Sequence, residues 1–160
     1  MKRFIVLLGT LFLLLCAVTA CGREAFDKEL ELENVYQSIL TAQGEKQEEL
    51  ILFPESDPGY FESFYPGLND IELAQQVYYI APIAGAACEV LLVEVTRQED
   101  VQTVRDIFQS RIDRAAADTV YPDVAEVWAR TAQVQFAGPY VAMIALPDGF
   151  VIPENVFQVE

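Results

Sequence analysis

The chain has 160 residues, of which 25 are acidic, ten basic and none histidine, giving a net charge of −15. That length holds one domain with a hydrophobic core and is too short for two of ordinary size. The missing histidine removes Ser-His and Cys-His catalytic pairs, histidine-ligated zinc and the usual general base near neutral pH. The acidic balance, with no Lys/Arg cluster, argues against nucleic acid as a partner, because phosphates need cations to neutralise them.

Met1, Lys2 and Arg3 make a positive start, and residues 4–15 are an apolar run broken only by Gly9 and Thr10. This is the architecture of an export signal, and its core is shorter than the roughly 20 residues a helix needs to cross a bilayer. Val18-Thr19-Ala20-Cys21 follows with an aliphatic residue, two small residues and a thiol in lipobox register. The pattern predicts a lipoprotein signal peptide over residues 1–20, lipid on Cys21, a short tether over residues 21–26 and a single domain over residues 27–160. The expected location is the extracytoplasmic face of the cell membrane. Loss of Lys2 and Arg3 leaves eight basic against 25 acidic residues, a charge of −17. Such a domain would be repelled by anionic lipid, so attachment falls to the lipid on Cys21. Cys16 leaves with the signal, so Cys88 is the remaining thiol and no intrachain disulfide can form. Its surroundings, Ala86-Ala87-Cys88-Glu89-Val90, predict a buried, inert side chain.

Within the domain, residues 27–40 carry Leu32, Val35, Tyr36, Ile39 and Leu40 at helical spacing, with Gly44 as a stop. Residues 47–52 make a short second helical piece. Residues 53–70 contain Pro54, Pro58, Gly59, Pro66 and Gly67, which argue against long regular structure and predict an aromatic-rich connection. Residues 72–83 and 86–96 read as strands joined by a two-residue Ala84-Gly85 turn into an antiparallel hairpin. Leu91-Leu92-Val93 is apolar on both faces and predicts a central strand covered on each side. Thr96-Arg97-Gln98-Glu99 has capping-box spacing and opens the longest helix, residues 98–116, whose stripe is Val101, Val104, Phe108, Ile112 and Ala115. Tyr121-Pro122-Asp123 starts a shorter helix ending near Thr131, with Val124, Val127 and Trp128 on one side. Residues 134–136 and 140–146 form a strand pair around Gly138-Pro139, and Pro147-Asp148-Gly149 closes the second strand with a turn. The tail, residues 151–160, shows no pattern. The order helix, hairpin, one or two helices, hairpin predicts an α+β domain with a four-stranded antiparallel sheet and helices packed on it, the order of the hairpins staying open.

No catalytic residue, metal site or cofactor is predicted. The lysines left after processing, Lys28 and Lys46, sit in polar helical surroundings unsuited to a Ser-Lys dyad or a Schiff base. Asp57, Glu62, Asp70 and Glu72 beside the aromatic stretch offer carboxylate pairs of the kind that flank a glycosidic bond. Glu55, Asp57, Asn69 and Asp70 offer oxygens to calcium, without the Asp-x-Asp-x-Asp-Gly spacing. A small domain with 25 acids creates such neighbours by composition alone. Tyr60, Phe61, Phe64 and Tyr65 form the densest aromatic group. They either line a groove for a peptide, glycan or envelope protein or pack as core beneath the connection. Arg105, Arg111, Arg114 and Arg130 hold half of the mature cationic charge, and Arg114 and Asp118 have the spacing of a helical ion pair. Pairing with surplus acids is the expectation for these arginines, ahead of a small anion site. The function expected is a non-enzymatic binding or accessory role at the envelope. The alternatives are a carboxylate-dependent enzyme acting on envelope polysaccharide and a self-associating subunit prompted by the doubly apolar strand.

Tyr78-Tyr79, the strand Glu89-Val90-Leu91-Leu92-Val93-Glu94, the helix containing Arg105 and Arg111, Tyr121-Pro122 and Gly138-Pro139-Tyr140-Val141 make residues 78–146 resemble the bacterial domain-of-unknown-function family 4358. The resemblance implies a small Gram-positive lipoprotein and assigns no activity, so no site residue follows from it.

Overall fold

Two strands with apolar side chains on both faces organise the molecule. A computed structural model describes residues 29–82 and 86–158. The signal over residues 1–20, Cys21, the helix start at Asp27 and the Ala84-Gly85 turn lie outside the described residues. Strands β1 (Phe53–Pro54), β2 (Leu73–Ile80), β3 (Glu89–Val95), β4 (Gln133–Ala137) and β5 (Tyr140–Ala145) form one antiparallel sheet in the order β1-β2-β3-β5-β4. The two predicted hairpins therefore meet through β3 and β5, in register from Glu89 opposite Ala145 to Glu94 opposite Tyr140.

Helices α2 (Pro58–Phe64), α3 (Val101–Ala116) and α4 (Pro122–Thr131) cover one face, where Leu91, Val93, Val141 and Met143 meet Tyr65, Val104, Phe108 and Trp128. Helix α1 (Leu32–Thr41) and the C-terminal tail cover the other, where Val90, Leu92, Ala142 and Ile144 meet Val35, Ile39, Val156 and Phe157. Alternate residues along one strand thus enter two different cores, as the pleat requires. β3 is bonded along both edges and buried between layers, so the doubly apolar run leaves no free edge for self-association.

The sheet has five strands where four were expected. The fifth, β1, comes from the connection over residues 53–70, which is also not irregular. Phe53 and Pro54 pair with Ile80 and Tyr79, and Glu55 N donates to Tyr78 O at 2.9 Å. Pro54 has no N–H to give and is tolerated because β1 is an edge. Helix α2 follows because Asp57 Oδ1 accepts from Gly59 N at 2.8 Å and Pro58 occupies the first turn, where its missing N–H costs nothing. Gly67, at φ 90°, ends this segment in the left-handed region.

Three further boundaries differ from expectation. The β2–β3 ladder stops at Ile80 opposite Glu89, with one more bond from Ala81 N to Cys88 O at 3.0 Å, because Pro82 cannot donate. The predicted capping box is not formed: Thr96 Oγ1 donates to Glu72 O, a short 3₁₀ turn over Gln98–Asp100 precedes α3, and Arg97 binds Asp100 instead. Helix α1 begins at Leu32, since Glu31 is extended and the Leu30 backbone is engaged elsewhere, its N–H donating to Tyr140 Oη and its C=O accepting from Gln75 Nε2.

The tail that carried no sequence pattern is anchored by two glutamines. Gln43 Nε2 donates to Val151 O at 2.8 Å and its Oε1 accepts from Val151 N at 2.9 Å, while Gln135 binds Pro153 O and Val156 N in the same way. Each amide replaces a missing strand partner. Replacing the buried Gln43 with alanine is expected to cost about 1–3 kcal/mol, the penalty for orphaned buried backbone groups. In hydrogen exchange the Val151 amide should be protected in the wild type and exchange with the bulk of exposed amides in Gln43→Ala. Equal protection in both would contradict this anchoring.

Candidate functional site

The first residue of β3 places an acid directly before the apolar run Val90-Leu91-Leu92-Val93. Glu89 is only 3% exposed and points toward α2 and α3. Its Oε1 accepts from Tyr65 Oη, at the end of α2, and from Tyr78 Oη on β2. Its Oε2 accepts from Arg111 Nη2 on α3 at 2.7 Å. These charge-assisted bonds make burial of the carboxylate tolerable.

Arg111 is also flanked by rings, with its guanidinium carbon 4.5 Å from the Trp128 ring centre and 5.0 Å from that of Phe64. Burial acts most strongly on it and lowers its pKa, but Glu89 and Tyr65 outweigh burial and hold the guanidinium above its ordinary value. Arg111 Nε is buried and has no acceptor among the described residues. Burial and the nearby Glu89 charge push Tyr65 well above the ordinary tyrosine value. Burial, with Tyr65 and Glu89 behind it, raises Tyr78 in the same direction, so both hydroxyls stay protonated donors.

Glu89 and Arg111 of this network line a cleft of about 550 Å³, with Tyr65 and Tyr78 holding Glu89 from behind. Phe53, Tyr60, Phe64, Tyr121 and Trp128 supply aromatic wall, with Glu55 and Asp118 among the lining acids. The volume is that of a small-ligand site. Of seven exposed large apolar side chains among the described residues, Phe53, Phe64 and Tyr121 line the cleft. Val120 adjoins Tyr121, and Ile51 lies two residues before Phe53. Three of the seven exposed large apolar side chains thus meet at one cleft, and all three are aromatic.

The four aromatic residues singled out in the sequence divide along the turns of α2. Phe61 and Tyr65 are buried core, touching Tyr78 and Phe108, while Tyr60 and Phe64 stack on each other at 4.2 Å and line the cleft. Asp57, Glu62, Asp70 and Glu72 are all exposed, and none lines the cleft; Asp57 is occupied in capping α2. No group of three or more His, Cys, Asp or Glu side chains among the described residues converges to hold a metal ion. Arg130 pairs with Asp148, as expected of surplus acids, whereas Arg114 donates to Phe64 O and Asp118 instead receives Val120 N. The predicted Arg114–Asp118 pair is therefore not made. Sequence reasoning passed over Glu89, Tyr78, Phe53, Tyr121 and Trp128 as site residues. The available signal was an acid directly before the apolar run Val90-Leu91-Leu92-Val93 of the central strand, which must find partners when buried.

Fold and cleft together define a small α+β domain with a charged, aromatic pocket between its sheet and one helical layer. Residues 58–146 match the family described as Domain of unknown function (DUF4358), and the chain belongs to that family. The match runs from α2 to just past β5, so it contains the Glu89 network, while α1, β1 and the tail lie outside it. No curated protein and no solved structure matches the chain.

Cys88 borders the cleft and is 6% exposed. Burial, and then Glu89, push its thiol from 9.0 up to about 12. A folded value above the unfolded one means that the neutral thiol's contribution is complete below pH 9 and is lost as pH climbs through 9 toward 12. Stability should therefore fall in alkali, beginning before the buried tyrosines contribute, and Cys88→Ala should flatten the first part of that fall. Iodoacetamide at about pH 8 should label the urea-unfolded chain and spare the native one. Native labelling at the unfolded rate would contradict the assigned burial.

Proposed function

We propose that the chain is a lipoprotein held at the extracytoplasmic face of the cell membrane by lipid on Cys21, and that its domain serves a non-enzymatic binding role there through the aromatic cleft. The observation that carries the binding role is the meeting of three exposed aromatic side chains, Phe53, Phe64 and Tyr121, in one cleft that Arg111 also lines. A monomeric surface ordinarily spreads such residues, and a contiguous rimmed patch marks an interaction site. Glu89 is unsuited to proton transfer in this role, because both of its oxygens already accept hydrogen bonds from within the protein.

Support for the anchor comes from the sequence: the positive start, the short apolar run and the lipobox at Val18 to Cys21. No helix among the described residues is long and apolar enough to cross a membrane. Eight residues separate Cys21 from Leu30, the first buried side chain among the described residues, so the link spans at most about 30 Å. The partner is accordingly to be sought within a few nanometres of the membrane surface.

Labelling cells with tritiated palmitate and fractionating them tests this reading. The wild type should carry label and sediment with membranes, while Cys21→Ala should lose the label and either leave the membrane fraction or accumulate unprocessed. An unlabelled wild type, or a Cys21→Ala chain that is processed like the wild type and still sediments with membranes, would overturn the proposed anchor.

A further inference from the structure

The charges lining the cleft constrain what can enter it. Arg111 is the single cation among the lining residues, and Glu89 neutralises it. The pair therefore brings no net positive charge to the cleft, which the Arg111 side chain still lines, while its Nε is buried and lacks an acceptor among the described residues. Glu55 and Asp118 have no ion-pair partner among the described residues. Glu55 Oε1 accepts from Ser56 N and Asp57 N, and Asp118 Oδ1 from Val120 N, which leaves the second oxygen of each carboxylate uncommitted. An entering anion would meet these two acids backed by a chain of net charge −15, whereas a cation is drawn toward them. Between rim and floor, Phe53, Tyr60 and Tyr121 offer apolar contact and ring faces that also favour a cation.

Building on the binding role above, we propose that the cleft takes a basic, apolar peptide segment. Its ammonium or guanidinium is received by Glu55 and Asp118, its apolar side chains lie against Phe53, Tyr60 and Tyr121, and a backbone carbonyl accepts from Arg111. A neutral glycan would use the rings and Arg111 but gain nothing from the two acids. An acidic peptide would be repelled by them.

Trp128 is the only tryptophan in the chain and packs on Arg111 at the cleft, so its emission reports occupancy. The full chain in phosphatidylcholine nanodiscs is titrated with three probes: a capped hexapeptide of leucine and lysine, the same peptide with glutamate for lysine, and a neutral chitin tetramer. The lysine peptide should give a saturable change, and the other two should give none. Glu55→Gln combined with Asp118→Asn keeps a side-chain oxygen to accept from the Ser56, Asp57 and Val120 N–H groups and should weaken the lysine peptide about tenfold, with an unchanged thermal transition. Raising salt to about 0.5 M should weaken wild-type binding likewise. The inference is overturned if the glutamate peptide or the sugar binds as tightly as the lysine peptide, or if the double variant binds the lysine peptide undiminished. Binding of either of those two probes alone would leave the cleft a binding site and remove only the ligand class. Silence toward all three probes would overturn the inference and count against the binding role itself.

Discussion

A carboxylate sealed inside a small domain must be surrounded by donors, and this requirement fixes how the helical layer sits on the sheet. Glu89 stands at the start of the central strand, Tyr78 comes from the neighbouring strand, Tyr65 from the end of α2 and Arg111 from the middle of α3. Three elements thus converge on the two carboxylate oxygens of a fourth. Removing one partner of such a pair leaves a buried charge unanswered, whereas an apolar pair of the same shape could have packed there at no loss. The network therefore serves position more than net stability. It holds Arg111 between Phe64 and Trp128, and these side chains make the floor and wall of the cleft.

The opposite face solves a different problem with neutral groups. α1 and the tail bring backbone to the sheet without adding strands, so their N–H and C=O groups need partners from side chains. Gln43, Gln75 and Gln135 each use both ends of the amide for this, binding Val151, the Leu30–Leu32 segment, and the Pro153–Val156 segment respectively. The attached segments and Gln43 lie outside the residues shared with the family, while Gln75 and Gln135 lie within them; β1 with Glu55 is also outside and contributes Phe53, Pro54 and Glu55 to the cleft. The family region thus carries the charged floor, and the chain's own N-terminal part completes one side of the rim.

Much of the fold was legible because period and burial agreed. Leu91-Leu92-Val93 announced a central strand, the Val101 to Ala115 stripe announced the long helix, and Pro122 marked the start of α4; all are seen. Residues 53–70 misled because proline and glycine were counted as breakers without asking where each would stand. Pro54 is on an edge and Pro58 is in a first helical turn, the two places that tolerate it. The capping-box spacing at Thr96 failed because a tertiary acceptor, Glu72 O, took the hydroxyl. Half of the site was visible as an aromatic group. The other half was not, because Glu89, Arg111 and Trp128 are up to 39 positions apart in sequence and no local pattern links them.

The central claim is that Glu89 and Arg111 act as one unit, which a double-mutant cycle in urea measures directly. Glu89→Gln and Arg111→Met are each expected to lower unfolding free energy by about 3–5 kcal/mol, and the two together to cost little more than either alone. Losses that simply add would mean that the pair is not coupled, and the account of how the cleft is held in shape would be wrong.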